Sequence, residues 1–149
     1  MKKILFFMLL CVAALILFLF ANRLPTKKIP YASINNHIFN LELAKTEKER
    51  EIGLAKYSNI QNDFGMLFVF EKSGNYSFWM KDMKFPIDII FIRNGKIVAI
   101  FNNVPPPTNN SSQLPIYKPE KISDTVLEIN AGLSKKYNFK ENDAVNIVY

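Results

Sequence analysis

Residues 64–101, FGMLFVFEKSGNYSFWMKDMKFPIDIIFIRNGKIVAIF, decide the fold of this chain. Short apolar runs rich in β-branched and aromatic side chains fill the stretch, and one of them holds the only tryptophan, Trp79. Turn residues separate the runs: Ser73-Gly74-Asn75, Pro86 and Asn94-Gly95. This pattern predicts short, buried β-strands rather than helices. Three of the charged side chains in this stretch are unfavourable in a core, and they mark a candidate surface: Lys81, Asp82 and Asp88.

The flanking sequence continues the β pattern, with one helix. Asn35-Asn36 predicts a hairpin, and Thr46 followed by Glu49 forms a capping box that predicts a helix over residues 47–56. Asn94-Gly95 is the strongest two-residue hairpin signal in the chain. Further strands are predicted over residues 66–70, 76–80, 87–93, 96–101, 123–130 and 144–149, with a helical turn over residues 131–136. About eight strands and one short helix predict a mainly β fold, either a sandwich or a partly closed barrel.

The first residues predict a membrane anchor or signal segment over residues 1–23. Residues 4–21 carry no charge and follow Lys2 and Lys3. A run of this length is close to the roughly 20 residues that a spanning helix needs, and longer than the usual signal-peptide core of about 7–15 residues. We therefore expect an uncleaved anchor that holds the rest of the chain outside the cytoplasm, with cleavage and secretion as the alternative. Residues 24–30 then form a tether, and residues 31–149 a single β domain.

Charge and composition exclude several classes of site. The net charge is +6, but Lys2, Lys3 and Arg23 lie outside the predicted domain, whose remaining surplus is too small for a nucleic-acid surface. Nucleic-acid binding is therefore the weakest functional alternative. The only cysteine, Cys11, lies in the predicted anchor, and His37 is the only histidine. We expect no disulfide, no zinc or iron site and no cofactor.

Two carboxylates lie on strands that should be interior. In the run PIDIIFI both faces around Asp88 are apolar, and Glu128 lies likewise in VLEINAG. A buried carboxylate needs donors, which are backbone amides or a cation such as Arg50 or Lys81. Asp88 and Glu128 could share a general acid/base site, or each could satisfy backbone donors separately; spacing in the sequence does not decide between these.

Trp79 and Lys81 are the other candidate binding residues. They lie at the end of a predicted strand, where an indole and an ammonium group suit the mouth of an apolar pocket with a polar rim. Met80 between them is better explained as a core residue. The candidate ligand site therefore comprises Trp79, Lys81, Asp88 and Glu128, while Asp88, Glu128, Lys81 and Arg50 are the candidates for a catalytic role.

Several short motifs, in this order along the chain, resemble those of the domain of unknown function 192 family. They are Glu49-Arg50, Gly53-Leu54, Gly65-Met66-Leu67-Phe68, Phe78-Trp79-Met80-Lys81, Pro86-Ile87-Asp88-Ile89-Ile90-Phe91-Ile92, Gly95-Lys96-Ile97-Val98 and Val126-Leu127-Glu128-Ile129-Asn130-Ala131-Gly132. The resemblance covers about residues 33–148. It implies a compact, mainly β, jelly-roll-like fold that often follows an export signal, and it implies no activity.

Two functions remain open from the sequence. The preferred one is a membrane-tethered binding or interaction module outside the cytoplasm, with a pocket near Trp79 and Asp88 for a small molecule or an envelope component. The alternative is an envelope enzyme that uses Asp88 and Glu128 as general acid and base.

Overall fold

A computed structural model of the chain describes residues 2–21, 29–108 and 114–149. These residues form three α-helices, a 3₁₀ turn over Gly53–Lys56 and nine strands. The helices are α1 (Lys2–Ala21), α2 (Glu47–Ile52) and α3 (Leu133–Lys136). The strands are β1 (Tyr31–Ile34), β2 (His37–Ala44), β3 (Phe64–Gly74), β4 (Phe78–Trp79), β5 (Ile87–Arg93), β6 (Lys96–Val104), β7 (Ile116–Tyr117), β8 (Ser123–Asn130) and β9 (Val145–Val148).

Seven strands form one curled sheet in the order β6-β5-β8-β3-β2-β1-β9, and β4 pairs with β7 in a separate two-stranded ribbon. The two edge strands of the large sheet approach each other at one end. There the Val145 amide donates to the Gly95 carbonyl over 2.8 Å, and the Ile97 amide donates to the Asp143 carbonyl over 3.0 Å. The sheet is therefore a barrel that closes at one end only, and this contact shields that end of the two edges from further strand pairing.

The turns predicted from asparagine and glycine are confirmed. Asn94 and Gly95 have φ of 50° and 67°, the left-handed conformation that a two-residue hairpin turn requires, and they join β5 to β6. Asn35-Asn36 joins β1 to β2 in the same way. The helix predicted over residues 47–56 is α2 followed by the 3₁₀ turn, and the Thr46–Glu49 capping box is formed.

Strand alternation gives the sheet two apolar faces. The inner face packs Ile90, Leu127 and Ile129 with residues of both edge strands and of α3, so this cluster fills the barrel. The outer face packs Ile89, Phe91 and Val126 under Leu54, Met83 and other residues from outside the large sheet. The outer layer is thus covered by the segment that connects β2 to β3, by the β4–β7 ribbon and by the loop that precedes β5.

The mainly β fold is confirmed, and of the two predicted architectures the described strands fit the partly closed barrel. The jelly-roll-like arrangement is not what they form, because a jelly roll packs two antiparallel sheets, whereas here one sheet curls on itself and β2 pairs with β3 in parallel. A parallel neighbour requires a crossover, and α2 with its 3₁₀ turn supplies it. The sequence pattern predicts neither this pair nor the short strand β7.

The N-terminal helix α1 carries many exposed apolar side chains, including Phe6, Phe7 and Leu17. Among the helices of the described ranges, none combines the length and the hydropathy that a bilayer crossing requires. The anchor predicted for residues 1–23 therefore stays a prediction. Most of the predicted tether, residues 24–30, lies outside the described residues.

Candidate ligand-binding site

A cavity of about 150 Å³ lies on the outer face of the sheet, between the crossover and the β4 region. Its walls are formed by four parts of the chain: α2 with the 3₁₀ turn, the β3–β4 segment, the loop that precedes β5, and one residue of β8. Apolar and aromatic groups dominate the lining, with a few charged side chains. The lining residues are Arg50, Glu51, Ile52, Gly53, Leu54, Ala55, Phe68, Phe70, Tyr76, Ser77, Phe78, Trp79, Lys81, Met83 and Glu128.

Stacked aromatic rings build one wall of the cavity. Phe70 and Tyr76 stack with ring centroids 3.5 Å apart, and Phe68 and Phe78 meet edge to face at 4.9 Å. The pairing of β3 with β8 becomes irregular after Val69, so the end of β3 leaves the regular ladder before it reaches Tyr76. Phe68 and Phe70 line the cavity because strand alternation places them on the same outer face as Met66, and the irregular segment after Val69 leads the chain on to Tyr76.

Among the described residues, Glu128 carries the one carboxyl group that the sheet itself presents to the cavity. It lies on β8 opposite Met66 of β3 and Ile89 of β5, both of which belong to the outer apolar layer. Its side chain is only 5% exposed, and burial raises its pKa to about 8. Within the described ranges the carboxyl group has no hydrogen bond and no ion pair. A buried, unpartnered carboxyl group that faces a cavity is typical of functional sites.

Gly65 permits the close strand contact beside Glu128. A Cβ atom at Gly65 would lie 2.9 Å from the backbone oxygen of Glu128, closer than such atoms can pack. The absence of a side chain there lets β3 approach β8 closely. The position of Glu128 is therefore fixed by the backbone of the sheet and not by a flexible loop.

The two cations of the cavity do not neutralise Glu128. The Arg50 guanidinium donates to the carbonyl groups of Lys45 and Val69 and lies 5.2 Å from the centre of the Phe70 ring. The Lys81 ammonium lies 5.8 Å from the centre of the Trp79 ring, at the exposed rim. Trp79 itself is 49% exposed, so its indole is accessible to solvent at the mouth of the cavity.

Asp88 lies elsewhere, on the opposite face of the sheet. It pairs with Ile129 of the inner layer, whereas Glu128 pairs with Ile89 of the outer layer, and neighbours along a strand point to opposite faces. The Asp88 side chain is fully buried and accepts hydrogen bonds from the amides of Asn103, Gly132 and Ser134 at 2.7–2.9 Å.

The interpretation of Asp88 as a ligand-binding or catalytic partner of Glu128 is therefore corrected. Its carboxylate fixes the start of α3 and the end of β6, and it does not line the cavity. The two acids cannot act together on one substrate, because the β-sheet lies between them.

The crossover above the cavity is anchored at two points. The Thr46 and Glu49 capping box fixes the start of α2, and the backbone amides that contact the Glu49 carboxylate lower its pKa. At its other end Glu42 of β2 accepts hydrogen bonds from Lys56 and Tyr57. The bond to Glu42 raises the pKa of Tyr57 to about 12. These contacts hold the cavity wall formed by α2 and the 3₁₀ turn against the sheet.

A model of the family DUF192, "Uncharacterized ACR", matches residues 31–147 of the chain. The chain belongs to the DUF192 family. No curated protein matches it. Two solved structures are similar to this DUF192 domain. One is a protein of unknown function from Novosphingobium aromaticivorans, with 27% identity and a TM-score of 0.69 over 79% of this chain and 83% of that one. The other is a "putative transcription regulator" from Sinorhizobium meliloti, with 29% identity and a TM-score of 0.70 over 79% of this chain and 91% of that one.

In this DUF192 domain the cavity brings together four of the five residues singled out from the sequence: Trp79, Lys81, Glu128 and Arg50. The aromatic wall formed by Phe68, Phe70, Tyr76 and Phe78 was not among the predicted site residues. Alternating strand patterns identify such side chains as buried or half-buried, but they do not show that the segments covering this face leave a cavity beside them.

Proposed function

We propose that this DUF192 protein is a membrane-tethered binding module outside the cytoplasm and that the cavity at Glu128 is its ligand site. The observation that carries the proposal is the cavity itself, which combines aromatic walls with one buried carboxyl group that has no hydrogen bond or ion pair in the described ranges. Ligand sites typically combine a mostly apolar concave surface with a few polar groups that fix orientation.

The size of the cavity limits the ligand. A volume of about 150 Å³ is below the usual range for drug-sized ligands, which is about 300–1,000 Å³. A volume of about 150 Å³ is enough to hold one benzene molecule. The ligand, or the part of a larger envelope molecule that enters the cavity, is therefore about as large as one ring.

The apolar surface of α1 supports the attachment to a membrane. Its exposed apolar side chains extend from Ile4 to Phe20, and an uninterrupted apolar surface of this kind is unfavourable in water. The two lysines that precede it, Lys2 and Lys3, favour contact with anionic head groups. We propose that this segment keeps the β domain at the outer surface of the membrane.

Thermal-shift screening of the full chain in detergent micelles tests the binding function. Saccharides, short peptides and small amines or acids from the cell envelope form the library. A ligand of the cavity should raise the melting temperature of the wild type and not that of Trp79→Ala, because Trp79 lies at the cavity mouth. The matched control is Ile38→Ala, which removes a similarly exposed apolar side chain from β2, outside the cavity. Stabilisation that survives Trp79→Ala, or no stabilisation across the library, would contradict the proposal.

A further inference from the structure

We propose that the cavity recognises a small molecule through an ammonium group, which forms an ion pair with Glu128. This inference rests on the proposed binding function and specifies the chemical class of the ligand. It follows from the position of the carboxyl group, from the groups that surround it and from the contacts that the neighbouring cations already make with other groups.

Within the described ranges, Glu128 lacks the hydrogen-bond donor or cation that a buried carboxylate requires. It is 5% exposed at the inner side of the cavity, and within the described ranges it has neither a hydrogen bond nor an ion pair. A buried carboxylate without a cation is strongly unfavourable, so the carboxyl group of the free protein stays protonated. A ligand cation would supply the missing charge and would allow the group to ionise.

The aromatic walls of the cavity also favour a cation. Phe68, Phe70, Tyr76, Phe78 and Trp79 contribute to the lining, and the faces of aromatic rings attract cations, as the positions of Arg50 at the Phe70 ring and of Lys81 at the Trp79 ring illustrate. A neutral ligand with a hydroxyl or amide group would need only a hydrogen-bonding side chain in the cavity. An uncharged glutamine in place of Glu128 would serve such a ligand equally well. Aromatic walls around an acid favour an ammonium ion.

Other charged and titratable groups face the cavity from the elements packed around it. Arg50 is held by two backbone carbonyls, and Lys81 extends over Trp79 at the rim. Glu42, two strands from Glu128 in the same row, is occupied by Lys56 and Tyr57. The remaining groups of this kind in the lining are Glu51 and Tyr76. None of these groups shifts the pKa of Glu128, which is raised by burial alone.

A predicted consequence is that binding releases a proton. Glu128 is mostly protonated at neutral pH because burial raises its pKa to about 8. An ammonium ligand binds the ionised form, so the apparent affinity should increase by about tenfold per pH unit as the pH rises toward that value. Calorimetry in two buffers of different ionisation enthalpy should show nearly one proton released per ligand bound near neutral pH.

Benzylammonium and benzyl alcohol form a matched pair of probes for the full chain in detergent micelles, because they share the ring and differ in charge. We expect benzylammonium to bind at least tenfold more tightly than benzyl alcohol at pH 8. Glu128→Gln should reduce benzylammonium affinity by tenfold or more and change benzyl alcohol affinity by less than threefold. The proton release of the wild type provides a second readout that does not depend on how well the variant folds.

Three outcomes would overturn the inference. The first is equal affinity for the two probes, the second is binding of benzylammonium without proton release, and the third is the absence of binding by either probe. If the screen still yields ligands that depend on Trp79, only the ammonium specificity is wrong and the binding function stands. If the screen yields no such ligand, the proposed function is wrong as well.

Discussion

At the residue scale, two buried carboxyl groups on neighbouring strands differ in the partners that surround them. Three amides surround Asp88, whereas Glu128 contacts apolar groups and an open cavity. Desolvation disfavours the charged form of any acid, and amide donors offset that cost only where they are present. The environment of each carboxyl group therefore determines whether it stabilises the fold or is available to a ligand.

The buried Glu128 should make the stability of the protein depend on pH. Its pKa is about 8 in the folded chain against 4.5 as the ordinary value, so the folded state holds a proton that the unfolded state loses between these values. The free energy of unfolding should therefore fall as the pH rises from about 4.5 to about 8, by at most about 1.4 kcal/mol per pH unit. Glu128→Gln should lack this contribution. Urea unfolding at several pH values, followed by Trp79 fluorescence, measures the difference.

The matched control for this measurement is Glu120→Gln, since Glu120 is exposed and lies outside the cavity lining. Its unfolding free energy should parallel that of the wild type at every pH. If the curve of Glu128→Gln also runs parallel to the wild type, the carboxyl group is not protonated in the folded state, and the electrostatic account of the cavity is wrong.

At the element scale, the sequence allowed the strands and turns to be predicted better than their arrangement. β5 and β8 lie where the apolar runs predict them, because a short apolar run bounded by Asn-Gly or Pro has few other ways to fold. Pairing partners are set by contacts between distant segments. The parallel β2–β3 pair, the irregular end of β3 and the opposite directions of Asp88 and Glu128 follow from that register, so local patterns could not specify them.

The hydrogen bonds that the Asp88 carboxylate accepts should stabilise the fold by linking β5 to β6 and to α3. Asp88→Asn keeps the size but places an NH₂ group against amide donors, and we expect it to reduce the free energy of unfolding by about 2–4 kcal/mol. Asp82→Asn is the control: Asp82 is exposed and has a φ of 59°, a conformation that asparagine adopts readily, so its effect should stay within about 0.5 kcal/mol. Urea unfolding of both variants provides the comparison. An equally small effect of the two substitutions would show that the three hydrogen bonds contribute little.

At the scale of the whole molecule, the chain combines an apolar N-terminal helix with a β domain that has its own core. The uncharged run of residues 4–21 coincides with this helix, while its role as an anchor stays a prediction. The cavity lies on the side of the domain that is covered by the crossover, and within the described residues its lining contains no part of α1. Attachment and ligand binding should therefore be separable properties.

Membrane association should depend on the apolar surface of α1. Leu9→Lys combined with Leu17→Lys places two charges on exposed positions of that surface, and we expect the protein to move from the membrane fraction to the soluble fraction. Leu9→Ala combined with Leu17→Ala, the matched control, keeps the surface uncharged and should leave the protein in the membrane fraction. Carbonate extraction followed by immunoblotting measures the partition. A wild type that is soluble and shorter than the full chain would instead support cleavage and secretion.

The two-faced sheet has a consequence for changing this protein by design. Side chains of the Asp88 row fill the barrel, while side chains of the Glu128 row meet the crossover and the cavity. A randomised library restricted to Trp79 and Glu128 would leave both the barrel interior and the buried phenylalanines of the outer layer untouched. Variants with new ligand preferences could then be selected with little loss of folded protein, because neither side chain belongs to an apolar cluster.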